Sequence, residues 1–130
     1  MSHHRETVTA LNAPAAIGPY AQAIRAGGLL FCSGQIALEP ESGELIDGGA
    51  AEQASRCLES LGAVCAAAGT ALSEAVRVTI YMTDLGAFSD LNEVYATFFE
   101  GDPPARVTVG VAALPRGADV EVDAIVALTD

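Results

Sequence analysis

The chain has 130 residues, 51% of them hydrophobic and 5% aromatic, with no tryptophan. That length and apolar content suit a single folded domain over residues 1–130, with a core of Ala, Val, Leu and Ile, and exclude a disordered chain. Six arginines and no lysine stand against 17 acidic residues, a formal net charge of −11, which argues against a nucleic-acid partner and against attraction to anionic membranes.

The three cysteines, Cys32, Cys57 and Cys65, are odd in number and form no C-x-x-C or Cys/His cluster; the two histidines, His3 and His4, sit far from them in sequence. Neither a disulfide framework nor a metal site is indicated, and the thiols read as reduced and buried, as in a cytoplasmic protein. The opening "MSHHRETVTA" has no apolar signal segment, and no apolar run reaches the length of a membrane span. The expected location is the cytoplasm.

In chain order, residues 1–19 end in "NAPAAIGPY", where Pro14, Gly18 and Pro19 disfavour regular structure. Ala21–Ala26 and Leu29–Ser33 read as two strands joined at Gly27-Gly28, followed by the loop "EPESGELIDGG". Ala50–Ala68 is a helix: Ala51, Ala54, Leu58, Leu61, Val64 and Ala68 recur at spacings of three and four, and Gly69 follows as a stop. Glu52 and Arg56 are placed to pair at i,i+4. In "EAVRVTIYMTD", Val76, Val78, Ile80 and Met82 alternate with Arg77, Thr79 and Tyr81, the pattern of a half-buried strand. "FSDLNEVYATFFE" is a second helix with Phe88, Leu91, Val94, Tyr95 and Phe98 on one face and Ser89 as its expected cap. Two strands close the chain: Val107, Val109 and Val111 alternate with Arg106, Thr108 and Gly110, and Val120, Val122, Ala124 and Val126 with Glu121, Asp123, Ile125 and Ala127. "PRGAD" turns between them.

The order β-β-α-β-α-β-β fits an α+β domain with two helices on one face of a mixed sheet, the first helix linking parallel strands. The second face is then expected to carry Arg77, Thr79 and Tyr81, Arg106, Thr108 and Gly110, and Glu121, Ile125 and Ala127. Such a face is too apolar to be plainly solvated and reads as covered by another subunit.

Arg106 is the first candidate for chemistry. Pro103-Pro104 stiffen its approach, a strand mounts it, and its small neighbours Thr108 and Gly110 leave room beside it. A guanidinium holds a carboxylate by two parallel hydrogen bonds, which suits a small 2-oxo or 2-imino acid. Glu121 has two readings: an ion-pair partner for Arg77 or Arg106, or a base that orients water, its pKa raised by apolar neighbours. Tyr20, after Gly18-Pro19, is either a packing residue or a pocket wall. Ser33, in "CSGQ", reads as turn chemistry and has no neighbouring histidine to make it a nucleophile. Asn92, at the edge of the apolar face of the second helix, must find a partner, either a loop or a ligand. No P-loop, dinucleotide fingerprint or metal-ligand spacing appears, so no cofactor is indicated.

Taken together, "APAAIGPYAQAI" (13–24), "SGQIAL" (33–38), "VYATFF" (94–99), "PPARVTV" (103–109) and "VEVDAIV" (120–126) resemble the Rid, or YjgF, family of reactive intermediate deaminases. The resemblance runs from about Asn12 to Leu128. It implies a chorismate-mutase-like subunit, a homotrimer with ligand clefts between subunits, and cofactor-free hydrolysis of enamines and imines such as 2-aminoacrylate to 2-oxo acids and ammonia. It implies that Arg106 clamps the substrate carboxylate and Glu121 positions the attacking water, with Tyr20, Ser33 and Asn92 as pocket residues. Many deaminating members carry cysteine where this chain has Thr108, so that position would contribute through its backbone and no thiol takes part. The alternatives are a non-catalytic protein that binds 2-oxo acids in the same cleft and, against the charge of −11, RNA cleavage or inhibition of translation.

Overall fold

Among residues 4–129, which the computed structural model describes, the chain runs β1 (Glu6–Val8), β2 (Ala23–Ala26), β3 (Leu29–Ile36), α1 (Ala50–Ala67), β4 (Ala75–Met82), α2 (Phe88–Phe98), β5 (Ala105–Gly110) and β6 (Val120–Ala127). His3, one of the two histidines weighed above, lies outside the described residues. The strands form one sheet in the order β1-β2-β3-β6-β4-β5. Only β4 and β5 pair in parallel; the other pairs are antiparallel. The helix between parallel neighbours is therefore α2. The helix α1 links β3 and β4, which run the same way on either side of β6 rather than side by side.

The expected class, two helices on one face of a mixed sheet, is the one observed, with a strand added at its start. β1 falls where irregular structure was expected. Three residues are too few to show a period, and β1 exists because Thr7 pairs with Ile24 of β2. β3 also extends past Ser33 to Ile36, with a register shift between Cys32 and Gln35 where it pairs with β6.

Every second residue of β6 makes the core. Val120, Val122, Ala124 and Val126 are buried beneath the helices, together with Leu30 and Cys32 of β3 and Val78, Ile80 and Met82 of β4. Onto them α1 lays Ala54, Cys57, Leu58, Leu61, Val64 and Cys65. Its start is held by the Glu52 carboxylate, which accepts from the Gly49 N–H at 2.8 Å. Glu52 is thereby taken from Arg56, which reaches Glu59 at 3.4 Å and Glu39 at 4.0 Å instead. Ser89 is not a cap either: α2 begins at Phe88, behind a short turn in which Asp84 accepts from the Gly86 N–H at 2.8 Å.

Among the described residues, nothing covers the opposite face of the sheet. Phe31, Val107 and Val109 are exposed there, beside Thr79, Tyr81, Glu121 and Ile125. One expectation about this face is wrong. In the parallel register Val78 lies beside Arg106, Ile80 beside Thr108 and Met82 beside Gly110, while Thr79 and Tyr81 lie beside Val107 and Val109. Residues paired across a ladder share a face. Arg106, Thr108 and Gly110 therefore belong to the helix side, and the valines of β5 look outward. No helix of the described residues is long and apolar enough to cross a membrane.

Leu61 has no exposed surface and sits at the centre of α1 against the sheet. Leu61→Ala is expected to lower the unfolding free energy by about 2–5 kcal/mol, read from urea denaturation with an unchanged slope.

Candidate functional site

The candidate residues fall into two groups on opposite faces of the sheet. The first lies on the open face. Ile17, Tyr20, Ser33, Gly34, Pro115 and Glu121 line an open depression of about 340 Å³. Its wall is the segment before β2, which has no regular structure and is held by Gln22. That buried side chain accepts from the Ala10 N–H at 2.6 Å and donates to the carbonyls of Ala10 at 3.2 Å and Pro14 at 2.7 Å. Tyr20 follows, half exposed, its hydroxyl accepting from the Ile17 N–H at 3.2 Å. Ser33 donates its hydroxyl proton to the Ala21 carbonyl at 2.6 Å, which ties β3 to the same segment. Toward a ligand it can therefore act as an acceptor.

Glu121 is fixed from two directions. The buried Gln53 of α1 donates to the Asp119 carboxylate at 3.1 Å and accepts from the Asp119 N–H at 2.8 Å, which pins the start of β6. Beneath the side chain lies Gly34, where an added Cβ would overlap the Glu121 carboxylate, with Cδ at 2.9 Å. Burial, and then the charge of Asp123, raise the Glu121 pKa above its ordinary value. Glu121 enters neither of the ion pairs among the described residues, both of which belong to Arg56. Asp123 is engaged otherwise, accepting from the Tyr81 hydroxyl at 2.8 Å.

The second group lies where β5 meets α2. Arg106 projects from β5, its guanidinium carbon 4.7 Å from the centroid of the Tyr95 ring and 5.4 Å from that of Phe88. Those residues are two turns apart on α2, with Asn92 between them on the same face. Arg106 also enters neither ion pair. Around it three buried polar atoms have no hydrogen-bond partner among the described residues: Asn92 Oδ1, Tyr95 Oη and Thr108 Oγ1. The room expected beside Gly110 is not there. Leu85 fills it, and a Cβ at Gly110 would meet that side chain at 3.2 Å.

The two groups differ in what they offer. One offers a carboxylate with a raised pKa above an open depression. The other offers a free guanidinium among unsatisfied polar atoms. Glu121 pairs with Tyr81 and Arg106 with Val78, so the two charges stand on opposite faces and at different heights of the sheet. The fold brings Tyr20, Ser33 and Glu121 together, and separately Asn92, Arg106 and Thr108. It does not bring the two sets together within one chain.

The family model described as endoribonuclease L-PSP matches residues 10–128. The chain belongs to this family, the Rid or YjgF proteins. Among its relatives, the RutC family protein y4sK of Sinorhizobium fredii is 49% identical over 124 residues, 95% of this chain and 98% of the relative. The mouse 2-iminobutanoate/2-iminopropanoate deaminase is 44% identical over 121 residues, 93% of this chain and 90% of the relative. Among solved structures, Escherichia coli TdcF with bound serine superposes with a TM-score of 0.90 at 35% identity, covering 95% of this chain and 99% of that one.

Within this Rid chain, sequence reasoning missed Phe88, Tyr95 and Gly34. Phe88 and Tyr95 were absorbed into the apolar face of α2. The signal that separates them is the phenol: a tyrosine at a core position needs a partner for its hydroxyl, and it lies three residues from Asn92. Gly34 gives no signal of its own, because its role is to leave room for a side chain from another strand. The buried cysteines are free, and burial, with the charge of Glu121 second, pushes the Cys57 thiol far above its ordinary range.

Because the Glu121 pKa is raised, the folded chain holds that proton more tightly than the unfolded chain. The contribution of Glu121 to stability is therefore greatest below the ordinary carboxylate pKa of about 4.3 and is lost as pH rises through the folded value. Glu121→Gln removes this loss. Its melting temperature is expected to match that of the wild type near pH 4 and to exceed it at pH 7, measured by circular dichroism.

Proposed function

We propose that this chain hydrolyses reactive enamines and imines, such as 2-aminoacrylate and its imine tautomer 2-iminopropanoate, to 2-oxo acids and ammonia. The observation that carries the proposal is a strand-mounted arginine with no ion pair among the described residues, ringed by buried polar atoms without partners. The deaminase name of the mouse relative and the serine held by TdcF, a small amino acid, support the same substrate class.

The two half-sites become one when a second copy lays its Glu121 depression against the Arg106 edge of the first. The exposed apolar residues of the open face, Phe31, Val107 and Val109, supply a surface for that contact. In the homotrimer implied by the family resemblance, each seam would carry one complete site. The protein would act in the cytoplasm and needs no cofactor.

In the reaction, Arg106 grips the substrate carboxylate through two parallel hydrogen bonds and so fixes C2. The protonated imine carbon is already electrophilic. Glu121 from the neighbouring copy takes a proton from a water as the water oxygen bonds to C2, giving a carbinolamine. That proton passes to the nitrogen, the C–N bond breaks, and ammonia leaves with the bonding electrons while the C2 hydroxyl gives its proton back to Glu121 and becomes the ketone. Positioning two groups this way supplies several kcal/mol without a nucleophilic side chain. Thr108 at the position where many relatives carry cysteine is compatible with this scheme, in which no thiol acts.

The test generates 2-aminoacrylate with a serine dehydratase and follows pyruvate release. The wild-type chain is expected to accelerate it; equal rates with and without the chain would leave a 2-oxo acid binding protein in place of an enzyme. Arg106→Ala should abolish turnover and weaken binding of the acid to that of an uncharged analogue, whereas Glu121→Gln should harm turnover more than binding. Refolding these two inactive variants together should restore activity, since about a quarter of the seams formed by random mixing pair an intact Arg106 with an intact Glu121. In the wild type, kcat/KM should fall toward acid pH as Glu121 is protonated, with the fall centred above the ordinary carboxylate range because burial raises that pKa.

A further inference from the structure

Arg106 carries its charge on a long, flexible stem at the edge strand of the sheet. A side chain of that kind is usually ordered by a carboxylate, and Arg106 enters no ion pair among the described residues. Two aromatic rings of α2 stand there instead, with the guanidinium carbon 4.7 Å from the centroid of Tyr95 and 5.4 Å from that of Phe88. A ring meets the flat face of a guanidinium and leaves its edge N–H donors unused. A carboxylate would consume those donors. Tyr95 can serve as a support because it is itself packed: its residue is 7% exposed, and its ring lies against Phe99 at 4.7 Å between centroids.

We propose that Tyr95 and Phe88 are positioning residues that orient the Arg106 guanidinium, so that both of its edge donors stay free for the carboxylate of the substrate. The inference rests on the reading of Arg106 as the carboxylate clamp. It adds that the precision of the clamp is set by the helix and not by the strand that bears it. Phe99, Tyr95 and Arg106 form a continuous line from the core to the ligand, and Phe88 closes it on the solvent side.

The experiment measures binding of 2-oxobutanoate and of its methyl ester by calorimetry. The preference for the acid over the ester reports the Arg106 clamp. Tyr95→Phe keeps the ring and is expected to preserve that preference within about twofold. Tyr95→Leu removes the ring and is expected to reduce the preference by about three- to tenfold, with KM rising by the same factor and kcat nearly unchanged. In an Arg106→Ala background, Tyr95→Leu should have no further effect on the preference. If Tyr95→Leu fails to fold, Phe88→Leu carries the same test with a smaller loss, at a ring that is already partly exposed. Equal weakening of acid and ester, or an effect that persists in full without Arg106, would mean that the rings support only the fold and would overturn the proposal. If Arg106→Ala removes the preference and neither ring variant changes it, the proposal falls alone. If Arg106→Ala leaves the preference intact, the clamp reading and the proposal fall together.

Discussion

Among the described residues of this Rid protein the sheet is covered on one side only, and β6 runs through its middle. Four of its residues, Val120, Val122, Ala124 and Val126, enter the core, so Glu121 and Asp123 are turned to the bare side by backbone geometry alone. A one-residue slip would bury two carboxylates under the helices and cost more than the core could return. The same register places Arg106 on the covered side, because β5 pairs in parallel with β4 and Arg106 lies beside the buried Val78. Glu121 and Arg106 therefore cannot meet within one chain, however the loops move.

The electrostatics follow the same division. With few cations in the chain, most acids are left to water, and the few charged groups lacking water are conspicuous. Glu121 is partly desolvated and next to another acid, which favours its protonated form. Arg106 lies between rings that attract a cation yet do not neutralise it. Folded proteins satisfy nearly all buried polar atoms. Of the five left without partners among the described residues, three, on Asn92, Tyr95 and Thr108, lie beside Arg106, and the other two belong to Arg56 and Ser60 of α1. A cluster of unmet hydrogen bonds next to an unpaired charge marks a surface shaped for something else to complete.

Much of this arrangement was legible in the sequence, for identifiable reasons. The helices announce themselves because apolar residues at spacings of three and four can only share a face if the chain coils. The candidates Tyr20, Ser33, Asn92, Arg106 and Glu121 came from glycine and proline context, from strand alternation and from the family resemblance, and the fold groups the first two with Glu121 and Asn92 with Arg106. The side of the sheet that Arg106 occupies was not legible. Alternation sorts β5 into two sets of residues without saying which set looks inward, and the valines were the natural choice for the interior. On this edge strand the interior is supplied by the stem of Arg106 and the rings of α2, which leaves Val107 and Val109 outside. β1 was illegible because its order comes wholly from its partner strand. Gly34 was illegible because its purpose lies in the space above it.

Gln22 joins the segment that carries Tyr20 to the rest of the molecule. Its amide holds that segment at Ala10 and Pro14 and Ser33 ties it at Ala21, while Tyr20 sits between with no strand or helix to constrain it. The wall of the depression is thus a cassette, anchored at one end by an amide and at the other by β2. Its length and side chains can be rewritten while the anchor is kept, which gives a route to reshape what enters the depression without disturbing the packing beneath.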